Sequence, residues 1–132
     1  MRHLILPSIP ILAVFLFSCK KDYTHQSITF PRTVQYVLYT NKDFSDNHKI
    51  IRFTLTMRRG NQVIWDSVLA PMQISQIPDS LHKIVVERAI PANVNSDLLV
   101  GFIYDIDAVG YSWWLDSCAA NESFKKIEFP FQ

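Results

Sequence analysis

Between residues 51 and 58 the chain alternates without a break. Ile51, Phe53, Leu55 and Met57 are apolar, and Arg52, Thr54, Thr56 and Arg58 are polar. Successive side chains of a strand point to opposite faces, so a period of two gives one buried and one wet face. That pattern belongs to an antiparallel strand on a half-covered sheet. Arg59-Gly60-Asn61 then turns the chain into 63–69, which makes a hairpin. Segments 34–40, 72–77, 83–90, 98–107, 111–118 and 125–131 read as further strands, punctuated by Pro71, Pro78, Pro91 and the polar stretch 93–97. No helical period is found after residue 22.

Seven to eight short strands at regular spacing predict an all-β, antiparallel β-sandwich of the immunoglobulin-like or transthyretin-like kind, although an open barrel would carry the same pattern. The 132 residues suffice for one such domain, expected over 32–132. Hydrophobic residues make up 48% and charged residues 19%, which is a composition that buries a core and not one of a disordered chain. Only three Gly are present, so phosphate-cradling Gly loops and dinucleotide chemistry are excluded. A net charge of +1 with no basic stripe gives no electrostatic reason to bind nucleic acid.

The amino terminus reads differently. Met1-Arg2-His3 is a short positive segment, and Leu4 to Phe17 is an uncharged apolar run broken by Pro7 and Pro10. Such a run falls short of the about 20 apolar residues a spanning helix needs, and it suits the core of a secretory signal. Leu16-Phe17-Ser18-Cys19 then resembles a lipobox, the motif of bacterial lipoproteins, and Ser-Cys-Lys-Lys-Asp resembles lipoproteins of the Bacteroidetes. Phe17 departs from the small or aliphatic residue usual at that place. The resemblance covers residues 1–22 and implies a signal peptide over 1–18, acylation at Cys19, and a tether over 19–31. It also implies a membrane anchor in the cell envelope, at the outer membrane, because two or more acyl chains hold a protein stably in a bilayer.

With Cys19 acylated, Cys118 has no partner; without acylation, a Cys19–Cys118 disulfide is open to an envelope protein. Cys118 reads as a small buried residue near a strand end rather than as a nucleophile, which would need an exposed position and a nearby base.

The hairpin 98–118 holds two of the three Trp. Adjacent residues of a strand face opposite sides, so one of Trp113 and Trp114 must lie outside the core. A two-residue turn at Ala108-Val109 would set Tyr104 opposite Trp113 and Phe102 opposite Leu115, with Trp114 outward beside Ile103. A turn with a bulge at Gly110 would slip the register by one and exchange the two Trp. An outward Trp near Tyr39 or Tyr104 could stack on a sugar ring or anchor a protein partner. Trp114, Trp113 and Tyr104 are therefore the candidate binding residues.

Other constellations are weaker. Asp105, Asp107 and Asp116 could meet near the hairpin, but three carboxylates fall short of the six to eight oxygens calcium takes. The loop 41–47 is acidic without the spacing of a calcium loop, and His25, His48 and His82 have no zinc spacing. No metal, cofactor or catalytic residue is expected. Asp66-Ser67-Val68 and Asp79-Ser80-Leu81 resemble the Asp-Ser/Thr-aliphatic acceptor of Bacteroidetes O-glycosylation, with Ser80 in a loop and Ser67 in a strand. Together these readings give a non-enzymatic envelope module that binds a protein or glycan. The alternatives are a small hydrolase or carbohydrate-active accessory domain, and a structural subunit of an envelope complex.

Overall fold

The computed structural model describes residues 30–132. The expected signal at 1–18, the lipidation site Cys19 and the tether up to residue 29 lie outside the described residues.

Eight strands run in chain order: β1 (Arg32–Thr40), β2 (Ile50–Arg59), β3 (Gln62–Val68), β4 (Met72–Gln73), β5 (Ile84–Ile90), β6 (Leu98–Ile106), β7 (Gly110–Cys118) and β8 (Phe124–Phe131). They form two sheets, one ordered β5-β1-β8 and the other β3-β2-β6-β7, with the short β4 also on β2. The two sheets pack face to face as a β-sandwich, which resolves the choice between sandwich and barrel. The pairing is antiparallel except between β1 and β8, which run parallel with Thr33 beside Phe124 and Thr40 beside Phe131. A parallel neighbour requires a crossover, and the chain supplies one by visiting the larger sheet between its first and last strands.

Period two decides the core. Ile51, Phe53, Leu55 and Met57 are all buried, and they meet Val34, Tyr36 and Leu38 of β1 and Ile127, Phe129 and Phe131 of β8. The centre is aromatic: Phe53 lies edge-on to Phe102, Phe129 and Phe131 at 6.4, 6.3 and 6.1 Å. Each such side chain contributes about 1.5–3 kcal/mol on burial. Tyr36 adds a polar tie, its hydroxyl donating to the Thr56 carbonyl across the sandwich at 2.9 Å. Burial first, and then Asp66, push the Tyr36 phenol well above its usual range, so it stays a donor.

One end of the sandwich is closed by Arg32, a residue the sequence did not single out. Its side chain is buried, and its guanidinium donates to the carbonyls of Ala119, Val94, Glu122 and Ser96 at 2.7, 3.1, 3.1 and 3.3 Å. These carbonyls belong to the β5–β6 and β7–β8 loops, so a fork of five donors joins the start of β1 to both.

One expected strand is shorter than its pattern. Residues 72–77 give only β4, followed by a 3-10 turn over Ile74–Gln76. Gln73 and Gln76 cap each other across that turn, and three residues per turn put Ile74 and Ile77 together in the core.

Candidate binding face

The β6–β7 hairpin takes neither expected turn: three residues, 107–109, close it, and its register is slipped by one from that of the two-residue turn, the slip that exchanges the two Trp. Ile106 pairs with Gly110, Tyr104 with Ser112, Ile103 with Trp113, Phe102 with Trp114 and Gly101 with Leu115. Positive φ angles at Ala108 (61°) and Gly110 (113°) supply the reversal, and Val109 N–H closes it on the Ile106 carbonyl at 3.0 Å. With Phe102 in the core, this register sends Trp114 inward and Trp113 outward.

Trp113 is 61% exposed and Tyr111, on the same face of β7, is 73% exposed. Their ring centroids lie 6.2 Å apart with 34° between planes. Ile103 is opposite Trp113, Thr54 is opposite Ile103, and the exposed Val68 is opposite Thr54, so one largely apolar row crosses four strands. The adjoining row is polar: Tyr111 pairs with Asp105 and Asp105 with Arg52. Arg52 bonds Asp107 at 2.6 Å and approaches Asp105 at 3.5 Å. Its hydrogen bond to Asp107, and then the Asp107 charge, raise the Arg52 pKa further. On the other flank Gly101 is buried between Thr56 and Leu115, and a Cβ there would stand 2.0 Å from the Trp114 carbonyl oxygen.

Trp114 and Tyr104 lie on the opposite side of that sheet. Trp114 stacks on Phe129 at 5.6 Å and 16°, yet remains 48% exposed because β7 is an edge strand. Tyr104 is half-buried against Phe129, Phe131 and Phe53 at 5.5, 5.8 and 5.9 Å. The three candidate residues therefore do not form one site: Trp113 is on the outer face, whereas Trp114 and Tyr104 close the core. Tyr39 is also remote, on β1 in the other sheet, under the Lys83 ammonium at 4.3 Å.

The three carboxylates do not converge either. Asp105 and Asp107 are held by Arg52 outside the sandwich, while Asp116 stands opposite the core residue Val100 and bonds Lys125 at 2.8 Å. That hydrogen bond holds the Asp116 carboxyl below its usual range and bridges the two sheets. Among the described residues, no group of three or more His, Cys, Asp or Glu is placed to hold a metal ion. Cys118 is fully buried at the end of β7 with its Sγ 3.5 Å from Arg32, and burial pushes its thiol pKa up. A protonated, enclosed thiol is a poor nucleophile.

Ser80 is exposed in the turn after Asp79, whose carboxylate accepts from the N–H groups of Leu81 and His82 at 2.9 and 3.0 Å. Ser67 is partly buried in β3, on the core-facing side opposite Leu55. The outer row itself has a sequence signal, in retrospect: Val68, Thr54, Ile103 and Trp113 all occupy the phase opposite the core positions of their strands. No family model matches the chain, and neither a curated protein nor a solved structure does.

Proposed function

We propose that the protein is a non-enzymatic, lipid-anchored module of the cell envelope, at the outer membrane, which binds a glycan on the outer face of its larger sheet. The observation carrying this reading is the bare Trp113–Tyr111 pair, 6.2 Å apart on one strand face. Aromatic rings offer a large apolar surface at little conformational cost, and the C–H face of a sugar ring stacks on such a surface. Arg52, Asp105 and Asp107 beside Tyr111 supply donors and acceptors for sugar hydroxyls. A small, mixed surface also suits a glycan by size. A stable protein interface needs about 800 Å² per partner, and two aromatic side chains bring only about 150–250 Å² each. The anchor rests on the resemblance at Leu16-Phe17-Ser18-Cys19.

Two experiments test the reading. Isothermal titration of the full chain with cello- and chito-tetraose and with soluble envelope polysaccharide should show binding that Trp113→Ala weakens about tenfold or more, or ~1.4 kcal/mol. Absence of binding to any of these by the wild-type chain would remove the glycan and leave the face to a protein partner. For the anchor, the intact mass of membrane-extracted protein should begin at Cys19 and carry acyl groups, both lost in Cys19→Ala. An unmodified mass would end the lipoprotein reading.

A further inference from the structure

Among the described residues the two sheets have four edges, and three of them are protected against pairing. The β3 edge is interrupted by a register shift opposite Met57 and Arg58, the β5 edge carries Glu87 and Arg88, and the β8 edge carries Lys125, Lys126, Glu128 and Pro130. Bulges, charges and proline are the usual means of blunting an edge. β7 has none of the three along its middle. Its nine residues Gly-Tyr-Ser-Trp-Trp-Leu-Asp-Ser-Cys hold one charge, Asp116, which is already engaged by Lys125.

The direction of its free backbone groups can be read from Ser117. The Ser117 N–H donates to the Asp116 carboxylate at 2.8 Å, so it is turned away from β6. Antiparallel ladders alternate, with the N–H and C=O of one residue pointing the same way. Tyr111, Trp113 and Leu115 share the phase of Ser117 and direct their backbone groups to the open edge.

We propose that two copies of this chain pair antiparallel through β7, edge to edge. The strand is self-complementary about Trp114. That centre puts Trp113 opposite Leu115, Tyr111 opposite Ser117 and Ser112 opposite Asp116, so the apolar pair meets beside the axis, the polar residues fall outside it, and no like charges meet. Trp113 and Leu115 then exchange both backbone bonds, and the Tyr111 N–H donates to the Ser117 carbonyl, while the Ser117 N–H stays on Asp116. The second copy also covers the recess of about 290 Å³ between β7 and β8 that Trp114, Asp116, Lys126 and Glu128 line. A two-fold axis normal to the sheet keeps both outer faces on one side, so the two Trp113–Tyr111 pairs join into one surface of four rings. The pairing stands without the glycan reading; only the use of the joined surface rests on it.

The test is sedimentation of the full chain in detergent over a range of concentration, with amide hydrogen exchange followed in the same samples and no glycan present. The expected result is a monomer–dimer equilibrium in which the amides of Tyr111, Trp113 and Leu115 exchange more slowly as dimer forms. Leu115→Pro removes a free edge N–H from each copy and no β6 bond, and it should raise the dissociation constant at least about tenfold. If that variant does not fold, the wild-type exchange of the three amides decides the question alone. A monomer at all concentrations, or a dimer in which these amides stay fast, overturns the proposal. Glycan titration of the wild type tests the binding reading separately, so the two can fail independently.

Discussion

Both sheets have an outer face, and the two are finished in different ways. On the three-stranded sheet, Val37 in the middle of β1 is only 2% exposed although it points away from the core. It is flanked by Val85 and Glu128, and Glu128 accepts from Lys126 at 2.9 Å and Lys83 at 3.5 Å. Lys83 in turn lies over Tyr39, and Gln35 bonds Glu87 at 2.7 Å. Long charged side chains shelter apolar surface with their stems while their heads stay wet. Val85 and Phe124 remain bare there, but on the flanking strands. On the larger sheet, the ion pairs of Arg52 and of Arg58 lie to either side of the row Val68–Thr54–Ile103–Trp113 and leave its two ends uncovered. The same chain shelters one outer face and leaves the other open, which is why the open face is read as the one used in contact.

The strongest way to break this contrast is to disturb the backbone beneath the open face. Gly101→Ala places a methyl carbon 2.0 Å from the Trp114 carbonyl oxygen, a main-chain atom that can retreat only if β7 leaves β6. The φ of 155° at Gly101 adds strain for any L side chain. The expected cost is about 3 kcal/mol or more, at the upper end for single substitutions. Urea denaturation measures it; a loss under about 1 kcal/mol would mean that the hairpin yields, and that the face is less rigidly held than its register implies.

Next in size is the contrast between neighbours on β7. Trp114→Ala removes the ring stacked on Phe129 and opens the side of the core, at an expected cost of about 2–3 kcal/mol, reduced from that of a fully buried Trp by its 48% exposure. Trp113→Ala removes a ring that packs only on Tyr111 and the sheet surface, and it should cost within about 0.5–1 kcal/mol. Equal destabilisation by the two would show that Trp113 supports the fold and is not held free for a ligand.

How much of this was legible in the sequence depended on what decides each feature. Strand identity was legible because burial on one face writes period two directly into residues such as 51–58. The parallel β1–β8 pair was not, because pairing partners are chosen by topology over some ninety residues and leave no local mark. The 3-10 turn at 74–76 carries the pattern of a strand because Met72, Ile74 and Ile77 serve either spacing over so short a run. Its reciprocal Gln73–Gln76 cap was the signal available. At the hairpin, the choice between a two-residue turn and a Gly110 bulge remained open, and with it which Trp turned outward. The exposure of Trp114 needed the structure, since only the sheet order makes β7 an edge. Arg32 was silent because its partners are backbone carbonyls, and these have no sequence identity.

The smallest effect expected separates the bond between the sheets from those on the sheltered face by pH. Asp116 bonds Lys125 across the sandwich, and the hydrogen bond from Lys125 holds its carboxyl below the unfolded value of about 3.9. Its contribution is therefore complete above that value and is lost as pH falls through the lower folded one. The carboxylate is half exposed, so screening limits the pair to about 1 kcal/mol or less. Asp116→Asn should lower stability at pH 7 by up to that amount, flatten the acid limb of stability below about pH 4, and lose its effect in high salt. Glu128 is held low first by its hydrogen bond from Lys126, so the sign of its pH dependence is the same. It bridges no sheets, and Glu128→Gln should change the urea midpoint at pH 7 less than Asp116→Asn does. If Glu128→Gln proves the more damaging, the charged cover of the smaller sheet contributes to folding, and its contrast with the open face would be one of stability rather than of use.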